Sequence, residues 1–426
     1  MKAPLPGAIR MVDIDRPVKP ILDVDGYAWT RLFVADHGTL IGSTDIDNCY
    51  APISAARLRD AIALGLPQTL MKRAIGRQIG IEPVNMLPDS VAVSVVIPTC
   101  NRPDDLRNCL EALDAQRGSR PLEILVVDNR PGTGSPTPAV VAEFEHVTLM
   151  EEPKPGLSYA RNAGFAAATG DILIAIDDDV TVPEGWLERL VAPFSRAEVM
   201  AVTGHVLPRE LETSAQCLFE AYGGLGKGFS PFEVDAKWFR ERRSAAPTWD
   251  IGATANAAFR ASLFSNPAIG MLDEALGAGT PTGCSEDTYL FYKILKAGHV
   301  MVYEPTAWVW HRHRRDARAL RHQIYSYSKG HVAYHLTTLL NDGDTRALVR
   351  LLYSLPRTFA KRAWVHLRGW SEYPLSLILV EIAGTLAGPW ALWRSRRRVR
   401  RIGPGARRSG EHAVSLESPA SQTPAA

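Results

Sequence analysis

The sequence predicts an α/β fold: a mostly parallel, mixed sheet with helices on both faces. Three observations carry that expectation. From residue 91 onward, short β-branched apolar runs alternate with amphipathic helical stretches, the pattern of strand–helix–strand units. The runs end in polar residues, Thr99, Asp128 and the triplet Asp177-Asp178-Asp179, and in such sheets ligands sit beyond the carboxyl ends of the strands. The run into the triplet, Ile172-Leu-Ile-Ala-Ile176, is unbroken, which suits a strand covered on both sides.

The elements follow in order. Residues 1–89 read as a separate small α+β module. Tyr27-Ala-Trp-Thr-Arg-Leu-Phe-Val34 and Thr39-Leu-Ile-Gly42 flank the turn-like Ala35-Asp-His-Gly38 and predict a hairpin. Residues 53–79 predict one or two helices interrupted at Pro67. Val91-Ala-Val-Ser-Val-Val-Ile97 is a strand stopped by Pro98, and 104–116 is a helix with Leu106, Leu110 and Leu113 on one face. Strands at 122–127 and 147–150 bracket a Gly/Pro-rich loop at 131–138; an Ala-rich helix over 157–169 then leads to the strand before the triplet. A helix is expected at 186–194. Residues 200–260 mix strands with the loop Gly223-Gly-Leu-Gly-Lys-Gly228, which lacks the GK[ST] of a phosphate-cradling loop and reads as a mobile loop near the site. A helix over 285–297 has Ser285 as a candidate cap and Glu286 and Asp287 in its first turn. Strands at 300–303 and 307–310 lead into His311-Arg-His-Arg-Arg315.

Composition narrows the class. The 426 residues are 46% hydrophobic and 22% charged with net charge +2, ordinary globular values that give no sign of nucleic-acid binding. Five cysteines without CxxC spacing argue against a disulfide framework or zinc site. No basic-then-apolar leader opens the chain, so residence in the cytoplasm is expected. Beyond residue 317 the pattern turns helical and basic. Residues 375–393 form a stretch of about twenty mostly apolar residues, punctuated by Glu381, Gly384, Gly388 and Pro389. Eight arginines follow between Arg394 and Arg408. The punctuation favours an interfacial or re-entrant helix there rather than a full span, within a helical, membrane-associating region over 317–401, with the arginines toward an anionic inner membrane face; a buried core helix with a solvated basic tail is the alternative. Residues 402–426 read as a disordered tail.

Acids one residue apart at a strand end can turn the same way, so Asp177 and Asp179 could grip one hard cation through oxygen; the alternative is a solvated acidic turn. The ordered set Val93-Ser-Val-Val-Ile-Pro-Thr-Cys-Asn-Arg102, Ile124-Leu-Val-Val-Asp-Asn129, Gly156-Leu-Ser-Tyr-Ala-Arg-Asn-Ala-Gly164, Ala175-Ile-Asp-Asp-Asp179, Gly283-Cys-Ser-Glu-Asp287 and Trp310-His311 resembles the family 2 inverting glycosyltransferases of GT-A fold, over residues 91 to 315.

That resemblance implies a nucleotide-diphosphate sugar donor, UDP- or dTDP-linked, an acceptor hydroxyl, and Mg²⁺ or Mn²⁺, which carboxylates favour. It implies Thr99 and Asp128 at the nucleotide base, and Arg102 and Arg161 at the ribose or phosphates, with a structural ion pair the alternative for Arg161. Asp179 is implied as metal ligand, Asp177 as shared between metal and ribose, and Asp178 as facing the sugar or solvent. Glu286-Asp287 is implied as the acidic pair supplying the base, with Asp287 taking the acceptor proton. His311 is implied at the metal or diphosphate, with His313 a competitor because alternation sends both the same way. The basic, apolar C-terminus adds a glycan or lipid-linked acceptor of the cell envelope and peripheral membrane contact. Two rivals stand beside this reading. A sugar-1-phosphate nucleotidyltransferase would need glycines where Pro98-Thr-Cys-Asn-Arg-Pro103 stands; a non-catalytic sugar-nucleotide-binding scaffold would not need the full acid set.

Overall fold

The computed structural model describes residues 5–80, 86–369 and 373–408. The N-terminal stretch forms a three-stranded sheet in which β1 (Gly7–Asp13) runs parallel to β2 (Trp29–Asp36), and β2 turns through His37 and Gly38 into antiparallel β3 (Thr39–Ile46). The expected hairpin is present. Helix α1 (Ala55–Gly65) is capped by the Ser54 hydroxyl, and α2 (Pro67–Gln78) starts at the proline read as the interruption, where a missing N–H costs nothing. Val24, Leu32, Val34, Ile53 and Leu58 are the fully buried centre of this unit.

The main sheet is built from β4 (Val93–Thr99), α3 (Pro103–Asp114), β5 (Leu122–Asp128), α4 (Thr137–Val141), β6 (Val147–Glu151), α5 (Leu157–Ala167), β7 (Ile172–Ile176), β8 (Val180–Thr181), α6 (Trp186–Val191), β9 (Val199–Pro208), α7 (Ser214–Tyr222), β10 (Phe232–Val234), α8 (Ala236–Arg240), β11 (Asn256–Arg260), α9 (Glu286–Lys296) and β12 (Val300–His311). Strand order is β10-β12-β9-β11-β7-β4-β5-β6, with β8 paired to β12. The block β6-β5-β4-β7 is parallel, β11 is antiparallel to both its neighbours, and β12 runs parallel to β9. Strands β4, β5, β7 and β12 therefore end on one rim, and the mixed sheet resembles the GT-A arrangement that was expected. Alternation sends Val96, Val127 and Ala175 into a core beneath α5 and α9, and Val95, Val126 and Ile174 into a second core beneath α3 and α6. Both faces are covered, as the unbroken apolar runs require. Gly164 lets α5 lie against the sheet, because a Cβ there would stand 2.3 Å from Val96 Cγ1.

Several expectations change. The two strands read at 300–303 and 307–310 are one strand, β12, carried through an irregularity between Glu304 and Trp308. Ser285 does not cap α9 with its side chain: its φ is +79° and its hydroxyl meets Cys284 Sγ at 3.3 Å. Past the sheet come α10 (Ala317–Asp342), α11 (Arg346–Val349), α12 (Leu355–Leu367) and α13 (Leu375–Ile402). Helix α13 is continuous, so Gly384, Gly388 and Pro389 do not break it. The glycines are contact points with α10: a Cβ on Gly384 would reach the Tyr325 carbonyl oxygen at 2.5 Å, and one on Gly388 would reach Val332 Cβ at 2.5 Å. One face of α13 is thus a packed interface, while Leu379, Leu386, Trp390 and Trp393 on the other face are exposed.

The chain then turns back over the sheet domain. Gly403 accepts a hydrogen bond from Tyr159 Oη (2.8 Å), Pro404 from Lys154 Nζ (2.6 Å), and Gly405 N–H donates to Glu274 (3.0 Å). Residues 403–408 were expected as tail; they form a strap because their carbonyls and arginines find partners there. The rest of the expected tail, 409–426, lies outside the described residues.

Gly388→Leu should lower unfolding free energy by about 1–3 kcal/mol, because the α10–α13 gap has no room for it. Leu386→Ala, on the exposed face, should change it by less than about 0.5 kcal/mol. Denaturant midpoints of the two variants check this.

Candidate active site

Strand ends make the site. The main chain leaves β7 directly into Asp177-Asp178-Asp179, then enters β8, which pairs with the end of β12 so that Val180 faces His311 in register. Arg312 N–H donates to the Asp179 carbonyl (3.3 Å). This pairing carries the imidazole of His311 to the triplet. One oxygen each of Asp177 and Asp179 and one His311 nitrogen lie within 4.8 Å of one another. Asp179 Oδ1 is buried, makes no hydrogen bond, and stands 3.4 Å from His311 Nε2. A buried anionic oxygen without a donor is costly; two carboxylates and an imidazole converging on it suit a hard divalent ion such as Mg²⁺ or Mn²⁺.

The acids are tolerated because cations are built in among them. Arg102 Nη1 donates to both Asp178 and Asp179, each at 3.0 Å, and the Thr99 hydroxyl donates to Asp178 at 2.8 Å. Arg161, 1% exposed, spans Asp177 (2.6 Å) and Glu286 (2.8 Å). Burial lifts the Asp178 carboxyl to about 6, against the pull of Arg102. Burial also works to raise Asp179, but His311 and Arg102 outweigh it and hold that carboxyl below the usual range. Burial, with Asp287 adding to it, pushes Glu286 up to about 7, and Arg161 offsets only part of the rise.

The predicted residues therefore divide. Asp177, Asp179 and His311 come together. Asp178 is buried against Thr99 and Arg102 at the border of the cleft. Thr99 and Arg102 line the cleft and are hydrogen-bonded to the triplet, and Arg161 is an ion-pair bridge from Asp177 at the end of β7 to Glu286 at the start of α9. Asp128 is buried at the end of β5, where its carboxylate accepts from Arg130 N–H (2.9 Å) and Ser135 Oγ (2.5 Å) and shapes the following loop; its neighbour Asn129 faces the cleft. Both acids border the cleft, but Glu286 is buried while Asp287 is half-buried, with Oδ1 held by Thr288 N–H at 2.7 Å. Asp287 is thus the member of the acidic pair open to a substrate.

These groups share one cleft of about 2150 Å³. Its floor is the strand-end rim. The loop 222–227 closes one side, close to the site as expected, and Trp249, Thr254, Tyr327, His331, Arg350 and Phe359 form the far wall. Tyr327 and His331 belong to α10 and Phe359 to α12, in the region read as membrane-associating. Part of that region is therefore cleft wall. Only the low amphipathicity of 317–342 hinted at this, since a helix contacted on every side shows no polar stripe.

A mixed sheet with a strand-end acidic rim and a helix-borne carboxylate facing it defines a GT-A-type domain. Residues 94–266 match the family model for Glycosyl transferase family 2, so the chain carries a domain of that family. A pre-mycofactocin glycosyltransferase of Mycobacterium tuberculosis (strain H37Rv) is 28% identical over 235 residues, covering 54% of this chain and 45% of that protein. Glycosyltransferase AglE of Haloferax volcanii is 34% identical over 120 residues, 27% of this chain and 39% of its own length. The chain thus spans less than half the length of these two relatives. Among solved structures, the mannosyltransferase PcManGT from Pyrobaculum calidifontis, in complex with GDP-Man and Mn²⁺, aligns over 84% of this chain and 88% of its own at 19% identity and a TM-score of 0.42.

Arg161→Met should destabilise the fold by about 1–3 kcal/mol, since it leaves the buried Glu286 carboxyl without its hydrogen-bond donor. Because the native Glu286 carboxyl titrates near 7 rather than at its ordinary 4.5, the folded chain holds a proton that the unfolded chain has released between these values. Stability should fall as pH rises through that window, and Glu286→Gln should flatten the fall, as read from melting temperatures at pH 5 and pH 8.

Proposed function

We propose that this protein transfers a sugar from a nucleoside-diphosphate donor, UDP- or dTDP-linked, to an acceptor hydroxyl with inversion, in a metal-dependent reaction. One observation carries the reading: the Asp177/Asp179/His311 cluster and the Asp287 carboxylate open onto the same cleft. Asp177, Asp179 and His311 would hold Mg²⁺ or Mn²⁺. Bound there, the ion supplies positive charge against the diphosphate that departs. Arg161 holds Asp177 in place and ties the start of α9 to it through Glu286, which fixes where Asp287 points. Asp287 Oδ2 is the general base: it accepts the acceptor hydroxyl proton as that oxygen closes on the anomeric carbon. With Asp287 acting as base the transfer is a single displacement, and a single displacement inverts the carbon. The cleft walls from α10 and α12 limit water at the reacting centre.

The acceptor side of the proposal is a glycan or lipid-linked acceptor met at the inner face of a membrane in cell-envelope synthesis. Helix α13 supports it. Among the described residues it is the one helix long and apolar enough to cross a bilayer by length and composition, but one of its faces is packed on α10. The opposite stripe, Leu375, Leu379, Leu386, Trp390 and Trp393, is exposed and apolar and runs into Arg394 and Arg397. Apolar side chains ending in tryptophans and arginines suit a helix lying in an anionic interface.

A donor screen by nucleotide release, with and without Mn²⁺, tests the reaction class; no metal-dependent release from any UDP- or dTDP-sugar would defeat it. Asp287→Asn should cut turnover by about 10²–10⁴-fold while donor affinity, measured by calorimetry, stays unchanged. Replacing Trp390 and Trp393 together by Ala should release the protein from vesicles containing phosphatidylglycerol, and equal sedimentation of the variant would remove the membrane contact.

A further inference from the structure

His313 ends in a different place from His311. Its Nδ1 lies 3.1 Å from His311 Nδ1, and its Nε2 lies 3.0 Å from Glu220 Oε1 on α7. Phe219 packs edge-on against the His313 ring at a centroid distance of 4.7 Å, and the ring is fully buried. Glu220 Oε2 in turn accepts from Arg31 Nη1 at 3.0 Å. Arg31 sits on β2, outside the catalytic sheet, and is itself held by Asp45 on β3 through two hydrogen bonds of 2.9 Å. Gly224 is pressed against the same carboxylate: a Cβ there would stand 2.4 Å from Glu220 Oε1.

Donor and acceptor roles along this chain are forced from one end. A guanidinium can only donate, so Glu220 facing Arg31 is an acceptor on both oxygens. His313 must then donate from Nε2, which leaves its Nδ1 with a lone pair when the ring is neutral. That lone pair demands N–H on His311 Nδ1, and His311 Nε2 is left as a lone pair aimed at Asp179 Oδ1, 3.4 Å away. Two acceptors facing each other at that distance are reconciled by a cation between them. Ligating histidines are commonly oriented in this way by hydrogen bonding from the other ring nitrogen.

We propose that Arg31, Glu220 and His313 are positioning residues that fix the His311 tautomer for metal binding, and that the N-terminal sheet is through Arg31 a working part of the metal site. This rests on the metal-site reading of Asp177, Asp179 and His311. The test uses the full-length protein at pH 8. In Mg²⁺, ¹⁵N NMR of histidine-labelled protein, assigned with His311→Ala and His313→Ala, should show His311 protonated at Nδ1 and bare at Nε2, and His313 protonated at Nε2. Glu220→Leu should mix the His311 tautomers and weaken Mn²⁺ binding by about 10–100-fold in calorimetry. Glu220→Gln keeps a carbonyl acceptor for His313 and should fall between wild type and Glu220→Leu. Arg31→Met should weaken Mn²⁺ in the same direction, whereas Arg10→Met, which removes an exposed ion pair of the same module, should not. Melting temperatures show that each variant is folded; if Glu220→Leu alone fails to fold, Glu220→Gln and Arg31→Met decide. A wild-type His311 protonated at Nε2, or unchanged Mn²⁺ affinity in folded Glu220 and Arg31 variants, overturns the proposal. If Asp179→Asn also leaves Mn²⁺ binding unchanged, the metal-site reading itself has failed; if Asp179→Asn abolishes binding while the Glu220 and Arg31 variants retain it, the relay alone has.

Discussion

The structure depends on keeping acids together at the ends of buried strands. Asp177, Asp178, Asp179, Glu286 and Asp287 gather at one rim, and most of them are shielded from water. Such a group would repel itself and pay for lost hydration. Two arginines answer this, each shared between two acids: Arg102 between Asp178 and Asp179, Arg161 between Asp177 and Glu286. Sharing leaves some demand unmet. Asp179 Oδ1 remains without a donor, and the unmet demand falls beside His311.

That economy explains how the rim divides its labour. Residues fully occupied by one another, Asp178 with Thr99 and Arg102, build the floor. Residues with spare acceptor capacity, Asp179 and Asp287, face the cleft. Position on the strand end does not decide which is which; the distribution of arginines does. It also explains why the tip of α9 sits where it does. Arg161 reaches from α5 to both β7 and α9, so one side chain sets the spacing between the triplet and the helix that carries Asp287.

Much of this was legible in the sequence. The β4–α3–β5 and α5–β7 units announce themselves by unbroken apolar runs and amphipathic spacing, and both strand-end acid positions follow from where those runs stop. The hairpin around His37-Gly38 and the helix start at Pro67 are likewise local signals. What escaped was non-local. The pairing of β8 with β12 joins Asp179 to His311 across more than a hundred residues, and nothing near either residue encodes it. Alternation placed His311 and His313 on the same side and could not choose between them; Glu220, on a separate helix, distinguishes them. For Thr99 and Arg102 the sequence did not show the partners they hold within the triplet, because it lists polar residues without their contacts; for Arg161 the structure shows the ion pairs that were its alternative. The glycines of α13 looked like breaks because a sequence does not show the neighbouring helix that makes small residues necessary.

The strap at 403–408 has a consequence for what the cleft can reach. It joins the end of α13 to Lys154, Tyr159 and Glu274, beside the loops at 153–157 and 278–280 that border the opening. The exposed helix is therefore moored at both ends, to α10 along its length and to the catalytic domain at its terminus. A surface that receives the stripe of Leu386, Trp390 and Trp393 would then meet the opening at a set height and tilt. Under the proposed membrane contact, only molecules projecting that far from such a surface would come within range of Asp287, and the mooring would serve as a ruler for acceptor length.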